Sequence, residues 1–361
     1  MMRSTPVVRT GLSRPAQFVA RFVPALALAL VLALVSAPRA RAQSDEEAGF
    51  AGYLQLLSAR ARAEGVREST IAGVTGSLSF SPRVIQLDRS QPGGGPSTGF
   101  SPFAPYRRTH VDAARIAGGR RQYLANADLL ARIEQRYGVP GKIVLAIWGH
   151  ESNYGSYTGD FDLARSLATL AYEGRRRELF ADEFVALLKM IDRGVPRSKL
   201  VGSWAGAFGN PQFLPSVYLR VAQDADGDGL ADIWSSTPDT LASIANYFRD
   251  AGWRPGQPWG VAVDVPATLD RASLGTSLAS PRCPQVFARH SAWRTMREWR
   301  ALGVTPQGAS LADDVQATLI EPDGQGRTGY LLTGNYRVIL DYNCSNFYAL
   351  SVGLLADEIA R

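Results

Sequence analysis

The chain has 361 residues, 45% of them apolar and 20% charged, a balance that excludes wholesale disorder and fibrous repeats and suits one large or two small globular domains. Its net charge of +6 is matched by six arginines within residues 1–42 (Arg3, Arg9, Arg14, Arg21, Arg39 and Arg41), a stretch without acids. The remainder is neutral, so bulk charge does not drive it onto nucleic-acid phosphates.

That basic N-terminal stretch is followed by an apolar run at 22–35 and by Ala40-Arg41-Ala42, the small-x-small pattern of a cleavage site. The run suits the apolar part of a secretory signal better than a membrane span, and predicts an exported protein cleaved near Ala42, which the family resemblance given below would place in the periplasm. No cysteine follows it to carry a lipid anchor. Residues 46–66 read as an amphipathic helix, with Phe50, Tyr53, Leu54 and Leu57 at helical spacing. The stretch QPGGGPSTGFSPFAP at 91–105 reads as a loop. A helix then runs to Tyr137, with Gly138 placed to end it and Pro140 to begin the next, over 141–154. Helical spacing continues over 163–192. A glycine-rich bend occupies 202–215 and an acidic turn 224–232. Ser236-Thr-Pro-Asp239 signals another helix start. Short apolar runs at 260–265 and 336–340 suggest strands, and 345–360 is helical. The pattern predicts a mainly α fold (α+β) with a minor β region.

The segment AIWGHESNYG at 146–155 carries the chemistry. Glu151 shares a helix face with Ile147 and Trp148, and it stands in the last turn, where the helix dipole is negative. Lost hydration and the dipole both favour the protonated carboxyl, the state a general acid needs. A second carboxylate is available only as Asp160 or Asp162, either of which can instead cap the helix at Leu163. The bend at 202–215 mixes glycines with Trp204, Phe208 and Phe213 and with the hydrogen-bonding Ser203, Asn210 and Gln212. That mixture suits sugars with apolar faces, or equally a tight connection that packs its rings into the core.

Asp224, Asp226, Asp228 and Asp232 occupy positions 1, 3, 5 and 9 of an EF-hand-like loop, with glycine at position 6 and the Leu230 carbonyl at position 7. Position 12 is Ser235 rather than Glu, and Asp239 is placed to close a longer loop around a structural Ca2+. Cys283 and Cys344, 61 residues apart, either close a disulfide, as export favours, or remain two buried thiols. His110, His150 and His290 lie too far apart for a His-x-x-x-His metal site, and no organic cofactor is indicated.

Taken together, RVIQLDRSQP at 83–92, AIWGHESNYG at 146–155, GSWAGAFGNPQFLPSVY at 202–218, DADGDGLADIW at 224–234 and YNCSNFYAL at 342–350 resemble the lytic murein transglycosylases of the membrane-bound B family, a lysozyme-like group. The resemblance implies a single catalytic glutamate at Glu151 and cleft positions at Ser203, Gln212, Tyr247, Asn343 and Tyr348. It also implies calcium ligands at Asp224, Asp226, Asp228 and Asp239. The expected reaction splits the bond between N-acetylmuramic acid and N-acetylglucosamine and closes a 1,6-anhydro ring. The expected partners are peptidoglycan glycan strands and other cell-wall enzymes, with no nucleic acid, and the expected state is a monomer. A hydrolytic muramidase and a calcium-stabilised glycan-binding wall protein are the alternatives. The chain departs from the family pattern at His150, before the acid, and at Phe208-Gly209-Asn210, where Met-Gly-Gln is usual. The expected division is a signal peptide at 1–42, an N-terminal helical segment at 43–115, a lysozyme-like core at 116–255 and a C-terminal segment at 256–361.

Overall fold

The computed structural model describes residues 45–91, 101–275, 283 and 286–361, so the expected signal peptide and the centre of the glycine-rich loop lie outside the described residues. Contacts divide the chain into Met1–Gly49, of which residues 45–49 are described and are helical, and Phe50–Arg361, to which everything below belongs.

The helix α7 (Gly141–Ser152) has apolar residues all round its N-terminal two-thirds, and a helix of that kind is stable only when surrounded. It is enclosed by α5 (Ala113–Ala125), α6 (Ala127–Tyr137), α11 (Thr237–Asp250) and α14 (Asn346–Ile359). Residues Ile143 to Gly149 are buried without a break. The expected punctuation holds: α6 stops at Gly138, left-handed at φ 71°, and Ser236 caps α11 through its side chain. The helical stretch 163–192 is two helices, α8 (Leu163–Glu173) and α9 (Arg177–Asp192), broken at Gly174. The shorter helices α2 (Glu68–Thr75), α3 (Pro82–Ser90) and α10 (Pro215–Val221) pack on that pair, and α4 (Ala104–His110) packs on α14.

The minor β region is real. Strands β3 (Gly260–Asp264), β4 (Arg294–Thr295), β5 (Thr305–Pro306), β6 (Gln316–Ile320) and β7 (Gly329–Leu332) form an antiparallel sheet in the order β4-β6-β7-β3-β5. Val263, Leu319 and Leu331 join Met296 and Trp299 in a small second core beneath it. One expected strand is corrected. Residues 336–340 lie inside α13 (Gly334–Tyr342), because the Thr333 side chain caps its start and the run is buried on several sides, which hides its helical period.

Candidate active site

Glu151 stands in the last turn of α7, and the rings around it set its chemistry. Ile147 and Trp148 are buried on its own face. From α14 the Tyr348 hydroxyl donates to Glu151 Oε1, and the pKa values of Tyr342 and Tyr106 are raised first by burial and then by the charge of the nearby acid. The carboxyl keeps partial exposure, yet loss of water pushes its pKa up to about 7, opposed in part by the Tyr348 hydrogen bond. Near neutrality it exists in comparable amounts as acid and carboxylate, and can therefore both give and take a proton.

His150 has no charge with which to disturb it. Burial drives its pKa down to about 3, its Nδ1 lies 2.9 Å from the Ala146 carbonyl and its Nε2 lies 2.8 Å from Ser351 Oγ. Because a carbonyl only accepts, the ring is the Nδ1–H tautomer.

Backbone strain gathers around the acid. Three non-glycine residues among those described are left-handed: Asn153 (φ 48°) and Tyr154 (φ 57°), which end α7, and Gln212 (φ 52°) in the bend. Tyr154 folds back into a slot formed by Gly118, Gly119 and Gly149, and a Cβ on Gly149 would lie 2.6 Å from its hydroxyl oxygen. That hydroxyl donates to the Arg115 carbonyl at 2.8 Å, while Arg115 Nε donates to the Gly149 carbonyl at 3.2 Å. Together these contacts clamp the last turn of α7 against α5.

The bend divides its residues between two tasks. Short strands β1 (Phe161–Asp162) and β2 (Val201–Gly202) tie it to the loop that follows Glu151, and Gln212 Nε2 donates to the Thr158 carbonyl at 3.2 Å. Ser203, Trp204 and Gln212 keep partial exposure. Three expected sugar contacts are corrected. Phe208 is fully buried and stacks on Trp234 at 5.3 Å, and Phe213 is buried beside Tyr247 at 5.9 Å. Asn210 is buried with its amide donating to the Trp234 carbonyl and Thr240 Oγ1, so it closes the bend from within. Tyr247 is also buried and donates to the Asp341 carbonyl at 2.8 Å, whereas Asn343 is exposed at the end of α13. Asp162 caps α8, accepting from Arg165 N, and pairs with Arg197, while Asp160 is exposed. Tyr106 and Tyr342 escaped the sequence reading. Tyr342 opens the YNCSNFYAL segment, but Tyr106 lies in a proline-rich stretch with no comparable signal. Cys283 and Cys344 are joined in a disulfide next to Tyr342.

The acidic turn brings together Asp224, Asp226 and Asp239, whose carboxylate oxygens lie within 4.8 Å of one another. Asp239 is wholly buried and accepts from the backbone N–H groups of Ala225, Asp226 and Asp232. Oxygen-only donors of this kind fit a hard divalent cation. Two of the expected ligands are not in the group. Asp232 is turned to Lys199 Nζ at 2.8 Å, and Asp228 accepts from Leu230 N within its own turn. The Leu230 carbonyl accepts from Asp232 N at 2.8 Å.

Residues 49–357 match the family model described as the transglycosylase SLT domain. The membrane-bound lytic murein transglycosylase B of Escherichia coli (strain K12) is 32% identical over 258 residues, which cover 71% of this chain and 66%, just under two thirds, of that relative. Among solved structures, SltB3 from Pseudomonas aeruginosa in complex with NAG-anhNAM-pentapeptide is 38% identical with a TM-score of 0.76, over 86% of this chain and 79% of that one. The Escherichia coli lytic transglycosylase Slt35 in complex with calcium is 27% identical with a TM-score of 0.70, over 85% and 92%.

Proposed function

The chain belongs to the transglycosylase SLT domain family, and from that premise we propose that it is a lytic transglycosylase that cleaves the β-1,4 bond between N-acetylmuramic acid and N-acetylglucosamine in peptidoglycan and leaves 1,6-anhydro ends. The observation that carries this is one carboxyl, Glu151, raised to about 7 by burial, while Asp162 is committed to capping α8.

Protonated Glu151 donates to the glycosidic oxygen as the bond to the muramic C1 breaks, and the bonding electrons leave with the glucosamine oxygen. The neighbouring N-acetyl carbonyl supports the positive centre. Glu151, now ionised, takes the proton of the muramic C6 hydroxyl, and that oxygen attacks C1 to close the ring. No water is consumed. Because Tyr348 donates to Oε1, the acid's proton is carried on the other oxygen. Ser203, Trp204, Gln212 and Asn343, with their partial or full exposure, are the residues through which we read contact with the glycan. Buried Tyr247 supports that surface through the Asp341 carbonyl.

Two further readings accompany this one. Asp224, Asp226 and Asp239 would hold a structural Ca2+, which neutralises their mutual repulsion and fastens the bend to α11. The basic and apolar leader at 1–42 would direct the chain to the periplasm, and no described helix is long and apolar enough to cross a membrane.

The test is mass analysis of purified sacculi digested with wild type and with Glu151→Gln. Anhydro-muramic ends from wild type and none from the variant are expected. Products one water heavier would instead indicate a muramidase, and undiminished solubilisation by Glu151→Gln a binding protein.

A further inference from the structure

We propose that a cavity along one face of α13 is the docking site for the peptide stem carried by the glycan strand, with Arg254 and Arg337 receiving the stem's carboxylates. The inference rests on the glycan-strand reading above and specifies the part of the substrate beyond the sugars. The cavity has a volume of about 660 Å³. Gly334, Arg337, Val338 and Asp341, at helical positions i, i+3, i+4 and i+7, form one wall, with Arg254 and Trp293 among the residues opposite.

Charge is the first argument. Neither Arg254 nor Arg337 makes an ion pair among the described residues. The Arg337 guanidinium rests 4.4 Å from the Phe287 ring centroid and 5.6 Å from that of Trp293, which restrains a cation that has no carboxylate of its own. Position is the second. The positive end of α13, a nine-residue helix, opens into the same cavity at Gly334. A Cβ there would meet only Gln257 Oε1 at 3.6 Å and Arg254 Cζ at 3.9 Å, so the Arg254 guanidinium stands near the helix start.

The cavity also contains Asp314 and Asp341. Both signs of charge in one cavity suit a peptide that bears carboxylates and a free amine, rather than a simple anion. Gly334 and Asp341 are about 10 Å apart along the helix axis, and Asp341 precedes Tyr342, which lies beside Glu151. An extended five-residue stem spans up to about 17 Å.

The experiment compares kcat/KM on soluble strands that retain their stems with kcat/KM on strands stripped by an amidase. Wild type is expected to favour stem-bearing strands about tenfold, and Arg254→Gln/Arg337→Gln to bring that ratio close to one with the rate on stripped strands unchanged. Absence of a preference in wild type, or its survival in the double variant, overturns the proposal. If loss of the Arg337 stacking unfolds the double variant, stripped strands report it, and Arg254→Gln alone, at an exposed side chain, then decides: it should reduce the preference at least threefold. Anhydro ends from stripped strands test the main reaction separately, so the two readings fail independently.

Discussion

Replacing Glu151 with Gln should remove activity and, above neutral pH, increase stability. In the folded protein the carboxyl is raised from 4.5 to about 7, chiefly by burial. The native state therefore holds this proton more tightly than the unfolded chain does. Its contribution to stability is fully present below about pH 4.5 and is lost as pH rises through about 7. A shift of that size corresponds to about 3 kcal/mol between the two limits. Gln has the same shape without the proton equilibrium, so the variant should match wild type at pH 4 and exceed it by about 3 kcal/mol at pH 8.5. Urea unfolding followed by tryptophan fluorescence at several pH values measures the difference, and the titrations of buried His150 and His290 cancel because both proteins share them. A difference between the two proteins that stays constant from pH 4 to pH 8.5 would refute the desolvation argument and, with it, the acid role.

Three other outcomes follow from the same geometry. Tyr348→Phe removes the donor that holds the Glu151 pKa down, so the alkaline limb of the pH–rate profile should move upward while kcat falls on the order of 10- to 100-fold; an unmoved limb would count against the contact. Calcium at about 100 times its dissociation constant should stabilise wild type by about 2.7 kcal/mol in thermal melts, and Asp226→Asn should abolish that gain while leaving the chelated protein little changed. Gly149→Ala places a methyl 2.6 Å from the Tyr154 hydroxyl oxygen and should cost about 1–3 kcal/mol in urea unfolding; a loss below about 0.5 kcal/mol would show that the clamp on α7 yields freely.

Residues whose roles depend on their immediate neighbours were legible from the chain. The α7 pattern, Gly138 and Ser236 each act within a turn or two, and each is found where its spacing put it, whereas of the Asp-x-Asp-x-Asp-Gly run only Asp224 and Asp226 join Asp239. The bend was legible only as a mixture. Which of its rings face a ligand and which face the core depends on Trp234 and Tyr247, contributed by other segments, and Phe208 and Phe213 went to the core. The run at 336–340 misled because a helix buried on several sides loses its polar stripe, and without that stripe periodicity cannot separate helix from strand.

By itself, then, the chain determined that an acid would end an apolar helix, and that a cap, a glycine stop and an acidic turn would lie in order around it. Tertiary structure alone decided what surrounds that acid: Tyr348 bonded to it, Tyr106 and Tyr342 beside it, and His150 turned away to Ser351. The reason is physical. Local patterns arise from backbone geometry over a few residues, whereas the cost of ionising a carboxyl is set by every group that replaces water around it, however distant in the chain.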